Sequence, residues 1–143
     1  MLKQKYSLGC LFALAVTMMA CSSDDTDVLE PQLPITAENI KGNWQLASLN
    51  GASINPEVAY FYISLKDSTS FELYETMNSG AYHHRTGEYT LDKQGRIHGY
   101  YHHTDSMVWN QSYQVSALTM TSMTWIGTQT NEQQVFTKVT TAQ

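Results

Sequence analysis

After Gly42 the chain settles into short β-rich runs separated by turn residues, and no long helical period returns. Apolar and polar residues that alternate in short segments mark half-buried strands, and many such segments in series point to a sandwich or a barrel. Eight runs are legible, at 43–49, 59–65, 70–76, 83–91, 96–101, 109–116, 120–126 and 133–138. Most connections between them are short enough for hairpins, so neighbours in sequence are expected to pair antiparallel in a meander. Eight strands also suffice to close an up-and-down barrel around its own side chains or one small ligand. The expected fold class is therefore all-β, an eight-stranded antiparallel up-and-down barrel. A short helical turn should precede it, with Thr36 as its cap and Gly42 as its stop.

One hairpin can be registered from residues alone. The segment Leu91-Asp92-Lys93-Gln94-Gly95-Arg96-Ile97 suits a three-residue loop with Gly95 in the left-handed position. Leu91 then faces Ile97, Tyr89 faces Gly99, Gly87 faces Tyr101 and Arg85 faces His103. The odd-numbered face carries Leu91, Ile97, Tyr89 and Tyr101 and is expected inside; Glu88, Thr90, His98 and His102 are expected outside. In the seventh run Leu118 and Met120 share one parity and Met123 and Trp125 the other. A bulge near Ser122 would keep both pairs inside.

The N-terminus has a different composition. Lys3 and Lys5 precede the apolar stretch 8–20, and Met19-Ala20-Cys21 sets a small residue before a cysteine. That order describes a secretory signal peptide, too short to span a bilayer comfortably. The cut site resembles a bacterial lipobox, with Met at two positions where Leu and a small residue are commoner. The resemblance implies that Cys21 is acylated and begins the mature chain. Ser22-Ser23-Asp24-Asp25-Thr26-Asp27 further resembles the acidic signal that sends Bacteroidetes lipoproteins to the outer face of the outer membrane. The expected organisation is a lipoprotein signal peptide at 1–20, an acylated Cys and acidic flexible tether at 21–34, and the barrel domain at 35–143. The tether reading rests on polar, acidic composition bounded by Pro31 and Pro34.

The formal charge is −5, and loss of Lys3 and Lys5 takes it to −7. Nucleic acid is not an expected partner, because its binders concentrate positive charge to displace counterions. If Cys10 leaves with the expected signal and Cys21 is acylated as the resemblance implies, the domain holds no cysteine, and disulfides, thiolate catalysis and Cys-ligated zinc are not expected in it.

Gly42-Asn43-Trp44 opens the first strand directly after the helical turn. A Gly-x-Trp in that place resembles the lipocalin signature. The resemblance implies that Trp44 plugs the closed end and that Lys138, in the final strand, lies across its indole where Arg is commoner. The wider chain, from about Ile40 to Thr141, is similar to the small lipocalin-like lipoproteins of Bacteroidetes. It shares with them Trp44 with Asn50-Gly51, Phe71-Glu72-Leu73-Tyr74, Gly87-Glu88-Tyr89-Thr90, and Trp109 leading into Tyr113-Gln114-Val115. That family implies a fold and a location and has no common activity to carry over.

The histidines form the other unusual cluster. His83-His84 and His102-His103 fall at the open end of the registered hairpin, with His98 between them. Adjacent strand residues point to opposite faces, so His83, His103 and Asp105 fall inside beside Arg85, and His84, His98 and His102 outside. His83, Arg85, Tyr101 and His103 are the candidate ligand-binding residues at the barrel mouth. Protonated histidines beside Arg85 would loosen the mouth in acid and favour an anionic ligand there. A metal site is not expected, since structural zinc wants four fixed ligands and Arg85 would set a positive charge beside the ion.

No nucleophile stands with a base, no Gly-x-Ser-x-Gly occurs, and Glu72, Glu75 and Glu88 are expected on the wet face; neither an enzyme nor a cofactor is expected. Tyr60, Tyr62, Tyr74, Tyr89, Tyr101 and Tyr113 either line a cavity or fill the core, with filling preferred. The expected function is a surface-anchored outer-membrane lipoprotein whose barrel binds a small, partly apolar molecule. The alternative is a protein-interaction or protease-inhibitor module that acts through its loops around a solid core. Cavity volume separates the two.

Overall fold

The computed structural model describes residues 28–76, 80–103 and 108–140; residues 1–20, expected to be a signal peptide, Cys21 and Asp105 lie outside the described residues. Thr36 starts α1 (Ala37–Ile40): its hydroxyl accepts from the Asn39 amide at 3.2 Å, satisfying a donor that the short helix cannot bond itself. The strands that follow are β1 (Gly42–Leu49), β2 (Ala52–Ser53), β3 (Phe61–Leu65), β4 (Ser70–Glu75), β5 (His83–Leu91), β6 (Arg96–Tyr101), β7 (Tyr113–Ser116), β8 (Ser122–Gly127) and β9 (Gln133–Val139). From β3 to β9 each strand pairs antiparallel with the next. β1 pairs with β3 on one side and β9 on the other, which closes an eight-stranded barrel. The two-residue β2 folds back on the end of β1 through Asn50 and Gly51, both at positive φ. Asn-Gly is the pair that such a tight hairpin favours, though this short return is absent from the eight expected runs.

The β5–β6 hairpin has the expected register from Leu91↔Ile97 to Gly87↔Tyr101. Gly95 takes φ 77, and the Asp92 carboxylate fixes the turn by accepting from the Gln94 and Arg96 amides, each at 2.9 Å. At the other end the register stops short. The His102 amide still reaches the Thr86 carbonyl at 2.8 Å, but His103 turns to φ 58, so the expected Arg85–His103 pair does not form.

Two strand boundaries differ from expectation for identifiable reasons. β7 begins at Tyr113 instead of at 109, because the side chains of 109–112 pull the backbone off the ladder. The Trp109 indole occupies the space above Gly99, where an added Cβ would lie 2.4 Å from the ring. Gln111, buried, accepts from the Gln129 and Thr130 amides of the β8–β9 turn at 3.1 and 3.3 Å. β6 and β7 therefore share two registered pairs, plus a bridge between Tyr100 and Val108. The expected bulge near Ser122 is replaced by a turn. The Thr119 amide bonds the Ser122 carbonyl at 2.8 Å, and Met120 lies at the tip, 63% exposed, while Leu118, Met123 and Trp125 are buried.

The closed end is packed dry. Ile40 and Trp44 are fully buried, and the Trp44 indole N–H donates to the Ile40 carbonyl at 2.9 Å. Lys138, the cross-strand partner of Trp44, places Nζ 5.1 Å from the indole centre. Gly42, at φ 134, leaves room for the lysine: a Cβ there would meet its Cε at 2.6 Å. Leu33 and Ile35 pack on this core. The Leu33 amide bonds Leu118 at 2.7 Å, and Glu30 accepts from the Thr121 hydroxyl at 2.7 Å. Phe136, Trp125, Trp109 and Phe71, with ring centres 4.9 to 5.8 Å apart in succession, form a continuous aromatic chain through the interior.

Candidate functional site

At the end opposite Trp44 the strands surround an open cavity of about 350 Å³. Leu46, Leu49, Phe61 and Leu73 supply its apolar wall, and Tyr101, Trp109 and Tyr113 add aromatic surface. A smaller pocket of about 80 Å³ shares several of these residues and reaches down to Ile63 and Trp125. The rest of the lining is polar: Glu75, Arg85, Asn110, Glu132 and Gln134. The exposed lining is thus more polar than apolar, with hydrophobic and aromatic side chains forming only part of the wall, and the volume is at the small end of the common ~300–1,000 Å³ range for small-molecule sites.

Strand alternation positions the charges. Phe71, Leu73 and Glu75 share one face of β4, so the carboxylate follows two core residues into the interior, with its side chain 7% exposed. This corrects the expectation for Glu75. Glu72 faces outward to Lys66, and Glu88 is exposed, both as expected. The inward parity of β5 brings Arg85 to the same place; its Nη2 stands 3.9 Å from Glu75 Oε1, and its guanidinium lies 5.2 Å from the Tyr101 ring centre. Burial pushes the Tyr101 hydroxyl above the ordinary phenol range, with the Arg85 charge opposing and Glu75 adding to the shift. Tyr113 is likewise raised by burial, against hydrogen bonds from Gln111 and Gln134 and with Glu132 adding. Both hydroxyls thus stay protonated at neutral pH. On the opposite wall Glu132 accepts from Gln134 Nε2 through the Gln134 side chain at 2.7 Å.

Of the residues singled out in sequence, Arg85 and Tyr101 line the cavity, whereas His83 and His103 do not. His83 pairs across the strands with Glu75 at the rim, and His103 is exposed beyond the end of β6. The outward histidines lie outside. His84 stacks on Tyr74 at 4.3 Å, His98 Nδ1 is 3.2 Å from the Ser112 hydroxyl, and His102 Nε2 is 3.9 Å from Glu88. Among the described residues, no group of three or more His, Cys, Asp or Glu could hold a metal ion.

The tyrosines divide. Tyr101 and Tyr113 line the cavity, and Tyr89 is core, its hydroxyl donating to the Asp67 carbonyl. Tyr62 and Tyr74 meet ring to ring on the outer face, 5.7 Å apart. Sequence reasoning missed Glu75, Asn110, Glu132 and Gln134. Parity with Phe71 and Leu73 could have found the first; the others depend on how the long turns before β7 and β9 approach each other.

One solved structure, a lipocalin-like protein from Bacteroides uniformis, matches over 71% of this chain and 99% of that one, with a TM-score of 0.51 and 15% sequence identity. The fold is lipocalin-like. No family model matches the sequence, and no curated protein does. The Gly42-x-Trp44 opening and the Lys138 contact occupy the closed end of this lipocalin-like barrel, as the sequence resemblance implies.

Proposed function

We propose that the chain is an outer-membrane lipoprotein, anchored through Cys21 and facing the cell exterior, whose lipocalin-like barrel takes a small, partly apolar molecule into its mouth. The observation that carries the binding reading is the open cavity of about 350 Å³, lined by both hydrophobic and charged or polar side chains. Its existence weighs against the loop-interaction alternative, which started from a solid core. The anchoring rests on the sequence around Cys21.

Native mass spectrometry of the protein purified from its own host tests the binding. A retained small molecule, lost when Leu73→Trp fills the cavity, is the expected result; a bare protein that no small apolar probe occupies would end the proposal. For anchoring, Cys21→Ser should release a folded barrel from the membrane. Alanine at Asp24, Asp25 and Asp27 should leave the protein acylated but protected from protease added to whole cells. Continued cleavage of that triple variant would remove the outward-facing reading.

A further inference from the structure

We infer that the mouth selects an organic cation, an amine or quaternary ammonium carried on a small apolar body; this rests on reading the mouth as a binding site. Two carboxylates, Glu75 and Glu132, and one guanidinium, Arg85, line the cavity, which leaves one net negative charge. Arg85 is turned to Glu75 and lies over Tyr101, so its positive charge is balanced within the wall. His83 and His103 do not line the cavity. Glu132 stands across the cavity with a neutral partner, Gln134; among the described residues no Lys, Arg or His pairs with it.

The remaining wall suits the same ligand. Trp109 and Tyr113 line the space beside Asn110, Glu132 and Gln134. Aromatic rings attract cations through their quadrupole, the more so where water is reduced, and a nearby carboxylate adds to that field. An anionic ligand would meet Glu132 uncompensated and would have to draw Arg85 away from Glu75. A neutral apolar molecule would leave the Glu132 charge facing it, with no gain to offset its loss of water.

Three probes of one shape and different charge decide the matter: 2-phenylethylamine, 2-phenylethanol and phenylacetate, titrated by calorimetry into the purified protein at pH 7.5. The amine should bind tightest, by roughly five- to tenfold over the alcohol, the range of a partly desolvated cation–ring and carboxylate contact. Glu132→Gln should bring the amine to the level of the alcohol and leave the alcohol unchanged. Glu75→Gln frees Arg85 and should raise the affinity for phenylacetate. Phenylacetate tightest in the unaltered protein, and lost with Arg85→Gln, would overturn the cation reading while leaving the mouth as a binding site. Equal binding of all three would do the same. No binding of any probe overturns both readings. The ranking in the unaltered protein needs no variant, so a substitution that fails to fold does not spoil the test.

Discussion

Two tryptophans mark the two ends of the barrel. At the closed end Trp44 is fully buried, its N–H bonded to the Ile40 carbonyl and Lys138 lying against its ring. At the mouth Trp109 is 8% exposed, and its indole nitrogen is buried without a hydrogen-bond partner. An unmet buried donor costs about 1–3 kcal/mol, and native structures keep few of them. The closed end is thus where local geometry and packing agree. The mouth is where the fold carries an indole N–H with no protein partner, a short β6–β7 ladder and an open volume. The tightest packing and the proposed binding site lie at opposite ends.

The largest effect should come from removing the closed-end plug. Trp44→Ala leaves a dry void and should lower stability by about 3–5 kcal/mol in urea unfolding, as for other buried aromatics. Trp109→Ala enlarges a space already open to solvent and should lose clearly less; a loss equal to that of Trp44→Ala would break the comparison. Gly99→Ala sharpens it. The new methyl collides with the Trp109 ring, so about 1–3 kcal/mol of overpacking is expected. The near-UV circular dichroism should change with Trp109, while Trp44 emission stays that of a buried indole.

Lys138→Ala removes a contact of an exposed cation with a ring and should cost about 0.5–1 kcal/mol. Lys138→Arg should restore it, since a guanidinium stacks well on an aromatic face.

The smallest effect is pH-dependent and belongs to the closed end. Asp67, in the β3–β4 turn, accepts from the Ser70 hydroxyl and from the Thr69 and Ser70 amides, which hold its carboxyl well below the usual range. Its folded pKa is depressed, so its contribution is present above the unfolded value near pH ~4 and is lost as pH falls through the folded one. Asp67→Asn should therefore lower the urea midpoint at pH 7, with the gap closing towards pH 2. A gap that persists unchanged in acid would show that the turn depends on shape and not on charge.

The legible parts of the sequence were those governed by neighbours in the chain. Thr36 as a cap, Gly95 in its turn and the register from Leu91↔Ile97 to Gly87↔Tyr101 each follow from a few adjacent residues. Trp44 and Lys138 are far apart in sequence, and the family resemblance alone brought them together. The mouth was harder because its geometry is made at strand ends. Parity put Arg85 and Tyr101 inside, but it could not show that the backbone would turn at His103 and carry that side chain away. The irregular course of 109–112 depends on Trp109 meeting Gly99 and on Gln111 reaching the β8–β9 turn, neither of which a strand period encodes. Glu75 was misplaced for a different reason. Its charge suggests exposure, but the alternation with Phe71 and Leu73 is the stronger signal.

The contacts of Glu30 and Leu33 with the β7–β8 turn set a polarity for the whole molecule. They place the entering chain at the Trp44 pole, where the Lys138 amide also bonds the Thr121 carbonyl at 2.7 Å. On the anchoring proposed through Cys21, the barrel would be held by its base, like a cup on a stem. The chain that would come from the lipid enters at the plugged pole, so the rim is the end farthest from its point of attachment.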